Sequence, residues 1–195
     1  MKTKDLVAAL STRIEPVDHR LVGWTTGIAL LAAAIASVGL MLVGLGIRAD
    51  LMTARALTFL ILKLAFAVGV VGVSSIYLMR LARPGGERRT SSIRIMMPFA
   101  AIVLLAVISL GLAPSSHWNK MVVGDQWLEC LLSIPIIAIV PFAIIVAAMR
   151  KAAPTDLERT GAFAGLIAGG VSAVAYALHC TDDSLPFIAV WYGGT

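Results

Sequence analysis

Long uninterrupted runs of apolar residues are the feature that most limits what this chain can fold into. Crossing the hydrocarbon core of a bilayer as a helix takes about 17–25 apolar residues. Five segments satisfy this requirement: Leu21–Ile47, Leu57–Met79, Ile95–Leu112, Leu128–Met149 and Thr160–Leu178. Runs of this length predict helices, because a membrane-spanning strand shows alternating apolar residues over about ten positions. The sequence therefore predicts an all-α, polytopic transmembrane helix bundle.

A sixth apolar stretch begins at Leu185 and reaches Thr195, which is too short to span the membrane. We expect a truncated sixth helix there, in preference to a segment that lies at the membrane interface. Composition supports the membrane assignment, because 59% of the 195 residues are hydrophobic and only 14% are charged. Soluble domains carry about 25% charged residues. The predicted organisation is a cytoplasmic amphipathic arm, residues 1–20, followed by a transmembrane bundle, residues 21–195.

The lysines and arginines outside the apolar runs are divided unequally between the two sides of the predicted bundle. Three flank one side: Arg48, Arg55 and Lys120. Twelve flank the other: Lys2, Lys4, Arg13, Arg20, Arg80, Arg83, Arg88, Arg89, Arg94, Arg150, Lys151 and Arg159. Cytoplasmic loops carry the excess of positive charge, so the N-terminus is predicted in the cytoplasm. These short basic blocks indicate membrane topology rather than nucleic-acid binding, despite a net charge of +5.

The two cysteines, Cys130 and Cys180, are predicted on the extracytoplasmic face at a similar height. Packed helices lie about 8–10 Å apart, which could bring the two Cα atoms within the roughly 4.4–6.8 Å of a disulfide. The pair could be small packing residues, a static disulfide, or thiols that respond to oxidants or metals. His179 is either a third ligand for a soft metal ion or an interfacial polar residue.

Lys63 lies inside the second apolar segment, about six residues from its outer end. A charge inside the membrane is costly and usually faces a partner or a cavity. Its side chain either extends to the interface or forms an intramembrane ion pair with an acid such as Glu129 or Asp183. The sequence contains no recognisable nucleophile setting, phosphate-binding loop or row of intramembrane acids, so we expect no enzymatic activity.

Small residues recur at every fourth position of the fifth segment: Gly161, Gly165, Gly169, Ala173 and Ala177. Such a stripe lets another helix approach closely. It favours either tight packing inside the bundle or a homo-oligomer formed through the three glycines.

The N-terminal arm has apolar residues at helical spacing, Leu6, Leu10, Ile14 and Val17, with Val7 beside the first of them. A helix of about ten residues is too short to be stable alone. It would therefore lie on the membrane surface or fold into a groove of a partner protein. Pro16 marks its end.

Several of these features together are similar to a known family. They are the arm residues Asp5, Leu6, Val7, Leu10, Pro16 and Val17, then Lys63 in its Phe59–Lys63 context, Trp127–Cys130 followed by Pro135, and the run Cys180, Asp182, Asp183, Ser184, Phe187, Trp191 and Tyr192. On these residues the chain resembles NrsF-type anti-sigma factors. These are six-helix bacterial membrane proteins that hold an extracytoplasmic-function sigma factor of the SigF type.

The resemblance implies a non-catalytic function in the bacterial inner membrane. The arm, including Ile14, would contact the sigma factor. Cys130 and Cys180 would sense heavy metal or oxidant on the periplasmic side, which would cause the release of the sigma factor. No cofactor is implied beyond a heavy-metal ion as signal. Two alternatives come from other classes: a membrane thiol oxidoreductase, which would need a second reactive pair or a quinone pocket, and a small transporter or channel subunit.

Overall fold

A computed structural model of the chain describes residues 3–4, 19–82, 92–152 and 154–195. The described part is helical and contains no strand. Its helices are α1 (His19–Gly44), α2 (Ala54–Leu81), α3 (Met96–Leu112), α4 (Trp118–Val123), α5 (Trp127–Arg150), α6 (Leu157–Tyr176) and α7 (Leu185–Phe187). Short 3₁₀ turns at Ser92–Ile95 and Ser115–His117 precede α3 and α4, and a π-helical turn, Ile188–Tyr192, continues α7. The predicted all-α bundle is confirmed.

Four stretches of the described chain are long and apolar enough to cross a membrane: Gly23–Gly44, Ala54–Leu81, Ile93–Leu112 and Ser115–Arg150. They coincide with the first four predicted segments, apart from the addition of α4 to the fourth. The chain is therefore a helical membrane protein. Five complete crossings, a truncated sixth and the cytoplasmic N-terminus stay predictions. The predicted arm lies almost entirely outside the described residues.

Helix α6 is the central helix of the bundle, although it is not among those four stretches. It packs against α2, α5 and α1, and buries residues on several sides, including Phe163, Ala164 and Ser172. A helix enclosed by other helices needs small residues for close packing more than large apolar ones for lipid contact. This explains why α6 is rich in glycine and alanine. Helix α3 is the opposite case, since it buries only Ile102 and Ala106.

Helix α2 approaches α6 closely at Gly170. A Cβ atom there would lie 2.6 Å from Cγ2 of Val71 and 3.4 Å from the carbonyl oxygen of Ala67. The predicted stripe behaves differently, because a Cβ on Gly161 or Gly165 would meet no atom within 4 Å. Within the described chain the stripe therefore packs tightly at Ala173 and Ala177, which are 4% and 1% exposed, but not at those two glycines. The homo-oligomer stays a prediction.

Side-chain caps set the starts of two helices, whereas two prolines inside a third do not end it. Thr53 accepts a hydrogen bond from the backbone N–H of Ala56 and begins α2, and Asp156 does the same for Arg159 at the start of α6. Helix α5 runs through Pro135 and Pro141 without a break. Membrane helices tolerate proline where neighbouring groups satisfy the freed carbonyls.

The buried residues form two main clusters, one toward each end of α6. One contains Tyr77, Leu78, Ile145, Met149 and Phe163. The other, called the thiol cluster here, includes Phe66, Val70, Cys130, Ile134, Tyr176, Cys180, Phe187, Ile188 and Tyr192. The thiol cluster lies where α5 begins and α6 ends, and it positions the candidate site.

Candidate sensor site

Both cysteines lie inside the thiol cluster as free thiols. Cys130 is in the first turn of α5, and Cys180 is in the connection between α6 and α7, which we call the α6–α7 turn, residues 177–184. Each has 0% of its surface exposed. The structure thus brings the two predicted sensor residues into one packed region, with the thiols unpaired.

The α6–α7 turn is held to the α1–α2 loop by Arg48. Its guanidinium donates one hydrogen bond to each carboxylate oxygen of Asp183, both at 2.9 Å, and a third to the carbonyl oxygen of Cys180 at 2.9 Å. The Arg48 side chain is only 1% exposed and that of Asp183 8% exposed. A planar guanidinium matches a carboxylate in this two-bond geometry, which gives orientation as well as energy.

Asp50 provides a second carboxylate for the same guanidinium, with distances of 2.7 and 2.8 Å. Hydrogen bonds to Asp50, and then to Asp183, raise the pKa of Arg48. The hydrogen bonds from Arg48 in turn lower the pKa of Asp50 below its ordinary value of 3.8. The arginine is therefore charged at all physiological pH values and is balanced by two acids.

Lys63 reaches the same turn from α2. Its ammonium group is fully buried and donates to the carbonyl oxygen of Cys180 at 3.0 Å, with Asp183 Oδ1 at 3.5 Å. The ammonium also lies 5.8 Å from the ring centroid of Tyr192, within cation–π range. Of the acids considered as partners, the structure brings Asp183 to Lys63. Glu129 is exposed in the first turn of α5.

Asp182 ties the turn to the start of α5. Its carboxylate accepts hydrogen bonds from the backbone N–H groups of Asp125 (3.1 Å) and Gln126 (2.7 Å). The side-chain oxygen of Gln126 accepts one in return from the N–H of Thr181 at 2.8 Å. The backbone N–H groups of Asp125 and Gln126 have no partner within the helix, because they lie at its start, and Asp182 provides one. The α6–α7 turn, which contains Cys180, is thereby fixed to α5, which contains Cys130.

Gly124 permits this close contact. Its φ of +65° and ψ of −170° belong to a region that only glycine adopts readily. A Cβ there would lie 2.7 Å from both Asp182 Oδ2 and Phe187 Cδ2. Ser184 and Trp191 complete the contact with α4 by donating to the carbonyl oxygens of Met121 (2.6 Å) and Val122 (2.8 Å).

The imidazole of His179 contacts a backbone carbonyl group and an aromatic ring. Its Nδ1 lies 3.0 Å from the carbonyl oxygen of Gly46, and its ring packs against Tyr176. Across residues 19–82, 92–152 and 154–195, no three His, Cys, Asp or Glu side chains are grouped so as to hold a metal ion. The predicted ligand set of Cys130, Cys180 and His179 is therefore not assembled in this structure. Metal binding by the two thiols stays a prediction.

A polar cavity of about 580 Å³ opens beside the network. It is lined by residues 181–184 of the α6–α7 turn and by Leu185 of α7, and also by Arg48, Asp50, Arg55, His117, Lys120 and Asp125. Neither cysteine lines this cavity, whereas Arg48 and Asp183 do. Arg48 and Asp50 were not selected as site residues from the sequence, although both stand in a short polar loop between two apolar runs.

Comparisons with known proteins show the family of this chain. The family model described as "Negative regulator of sigma F" matches residues 10–195. The chain belongs to this family of negative regulators of sigma F. A "Probable anti-sigma-F factor NrsF" of Azospira oryzae is 31% identical over 192 residues, which cover 98% of this chain and 90% of the relative. The "Anti-sigma-F factor NrsF" of Caulobacter vibrioides is 30% identical over 198 residues, with the same two coverages. No solved structure matches.

The match to the negative regulators of sigma F includes every element of the candidate site, from Arg48 to Tyr192. The regulatory names of these relatives support an anti-sigma factor and indicate a sigma factor as partner. All seven arm residues predicted to contact that partner lie outside the described residues: Asp5, Leu6, Val7, Leu10, Ile14, Pro16 and Val17. The last four of them are within the length that the family model matches.

Proposed function

We propose that this chain is a multi-pass inner-membrane anti-sigma factor that holds an extracytoplasmic-function sigma factor through its cytoplasmic arm, residues 1–20. Thiol chemistry at Cys130 and Cys180, on the periplasmic side, releases the sigma factor when heavy metal or oxidant is present. The family match and the names of the relatives support the first statement. The geometry of the turn supports the second.

The observation that carries the sensing proposal is the position of the Cys180 carbonyl oxygen. It accepts hydrogen bonds from Arg48 in the α1–α2 loop and from Lys63 in α2. Two residues later, Asp182 is fixed to the start of α5, which contains Cys130. A change at either thiol therefore acts directly on contacts that join α1, α2, α5 and α6.

Because the region is closely packed, a chemical change at a thiol switches the protein between two distinct arrangements of side chains. The thiols are fully buried, and protein interiors have few voids larger than a water molecule. A metal ion or an S–S bond at this position requires the neighbouring side chains to repack. A trigger shifts the protein between two packings only if it favours one of them. Helix α1 follows the arm in the chain, so a change in the packing of α1 is passed on to the arm.

Co-purification tests the partner and the arm. Membranes containing the full chain with the co-expressed sigma factor are solubilised, and the sigma factor captured with the tagged chain is quantified. Removal of residues 2–17 should abolish capture, and Leu6→Ser with Leu10→Ser should reduce it, because both remove apolar anchors. Ser11→Ala with Thr12→Ala is the matched control and should leave capture unchanged. Undiminished capture by the deletion variant would exclude a role for the arm.

A further inference from the structure

The polar cavity beside the Arg48 network has the size and the lining of a small-molecule site. Its volume is about 580 Å³, within the range of roughly 300–1,000 Å³ for ligand pockets. Part of its lining comes from the side chains of Arg48 and Asp183, which are almost fully buried and hydrogen-bonded to each other. A molecule bound in the cavity therefore meets a fixed polar surface.

Most of the acids that line this cavity already have partners. The four are Asp50, Asp125, Asp182 and Asp183. Asp50 and Asp183 form ion pairs with Arg48, and Asp183 lies close to Lys63 as well. The carboxylate of Asp182 accepts hydrogen bonds from backbone N–H groups. Asp125 is thus the one acid of the cavity whose charge is not already compensated.

Two cations of the cavity have no such partner. Arg55 in the first turn of α2 and Lys120 in α4 line the cavity from separate helices. Within the described ranges, neither forms an ion pair or a side-chain hydrogen bond. Against them stands only the carboxylate of Asp125, so the uncompensated charge of the cavity is positive. This excess selects an anionic ligand.

The size and the surroundings of the cavity select the kind of anion. A single oxyanion is much smaller than about 580 Å³, so the charged group belongs to a larger molecule. Arginine and lysine both bind phosphate, the first through paired N–H donors and the second as a point charge. Close to them in sequence, Met52, Leu112 and Trp118 are large apolar side chains that remain exposed. Exposed apolar groups of a membrane protein contact lipid, and tryptophan is typical of the interface, where phosphate head groups lie.

We infer that this cavity binds a phosphate group carried by a larger molecule, with Arg55 and Lys120 as its cationic ligands. Two sources share this chemistry: the head group of an anionic phospholipid in the surrounding membrane, and a soluble phosphate ester. The bound phosphate bridges α2 and α4 beside the α6–α7 turn, and it stabilises the folded chain by mass action. Binding is non-covalent, and the inference does not depend on thiol chemistry at the two cysteines.

The test measures thermal unfolding of the purified full-length chain in a neutral maltoside detergent. Short-chain phosphatidylglycerol and glycerophosphate are titrated separately. The unfolding midpoint should rise to a plateau with at least one of them. A rise with phosphatidylglycerol alone identifies the membrane as the source, whereas a rise with glycerophosphate shows that a soluble phosphate ester suffices. No rise with either compound would overturn the inference.

Substitutions at the cavity separate a binding site from general attraction between charges. Arg55→Gln and Lys120→Gln should each weaken the apparent dissociation constant about fivefold, the effect of one cation beside an anionic head group. Asp125→Asn should tighten binding, because it removes the acid that repels the phosphate. A purely structural role of these exposed side chains would change the midpoint without ligand but not the dissociation constant.

Arg150→Gln is the matched control. Arg150 is exposed at the opposite end of α5 and does not line the cavity, so its loss should leave the dissociation constant unchanged. Equal weakening by Arg150→Gln and Arg55→Gln would mean that the ligand is attracted by the overall positive charge of the chain, and would overturn the site. Unchanged binding by both Arg55→Gln and Lys120→Gln would overturn it as well.

Discussion

The ammonium group of Lys63 donates a hydrogen bond to the backbone carbonyl oxygen of Cys180 at 3.0 Å, although 117 positions separate the two residues. A buried cation from the middle of the chain thus holds the backbone of a candidate sensor residue near its end. Asp183 compensates the buried positive charge in this low-dielectric region, because its carboxylate faces both Lys63 and Arg48. The predictions below start from this cluster.

Asp183→Ala should destabilise the protein more than Lys63→Met. Removal of Asp183 leaves the buried Lys63 without a carboxylate, and loss of one partner of a buried ion pair costs about 3–5 kcal/mol. After Lys63→Met, Asp183 and the Cys180 carbonyl oxygen still accept hydrogen bonds from Arg48, so we expect a loss of about 1–2 kcal/mol.

These variants are compared by their free energy of unfolding in mixed micelles. It is measured by dodecyl sulfate titration with tryptophan fluorescence. Asp125→Ala is the control and should have little effect, because that carboxylate is exposed. Equal losses for Asp183→Ala and Asp125→Ala would contradict the role of the cluster.

Gly124→Ala should lower stability by about 2–4 kcal/mol, because it combines a φ that alanine disfavours with a collision against Asp182 and Phe187. Two other glycines separate these causes. Gly46→Ala has a φ of +77° but open space, so only about 1 kcal/mol should be lost. Gly39→Ala in α1 has neither problem and should lose nothing. The same titration measures all three, and an equal effect at the three positions would refute this order.

Gly170→Ala should loosen the contact of α2 with α6. The added Cβ would lie 2.6 Å from Val71, whose branched side chain has little rotamer freedom in a helix. Overpacking of this kind costs about 1–3 kcal/mol. Gly165→Ala, in the same helix but with open space around it, is the control. Thermal unfolding in detergent should show a lower midpoint for Gly170→Ala alone.

Acid should weaken the anchorage of the α1–α2 loop through Asp50. The pKa of this carboxyl is lowered in the folded protein by its hydrogen bonds with Arg48. Its stabilising contribution is therefore fully present above the unfolded value of about 3.9, and is lost as the pH falls through the lowered folded value. Asp50→Asn should remove this part of the pH dependence below pH of about 4, as measured by thermal midpoints across an acid series. An identical acid profile in both proteins would contradict it.

Much of the fold follows from the sequence because run length and helix length are linked in a membrane. The predicted Ile95–Leu112 and Leu128–Met149 differ from α3 and α5 by one residue at one or both ends. Charge burial was likewise informative, since Lys63 required a partner, and Asp183 was one of few acids at the same end of the bundle. Both are consequences of a solvent that cannot satisfy polar groups.

Other contacts could not be predicted, because they join residues far apart in sequence through backbone groups. The carboxylate of Asp182 binds N–H groups 56 and 57 positions away, and no side-chain pattern indicates a backbone partner. Helix α4 has only six residues, too few for a periodic signal. The stripe indicated close packing at Gly165, but the contact is at Gly170, because helix rotation is set by all the neighbours of α6 together.

The most direct test of the account is release of the sigma factor from isolated membranes by a thiol-specific trigger. Membranes that contain the chain with bound sigma factor are treated with Cd²⁺ or, separately, with an oxidant, and the sigma factor remaining with the membranes is quantified. The account predicts that at least one trigger releases it from the wild type, while Cys130→Ser with Cys180→Ser retains it under both treatments. Equal release from both proteins, or no release from the wild type under either trigger, would contradict the cysteine sensor.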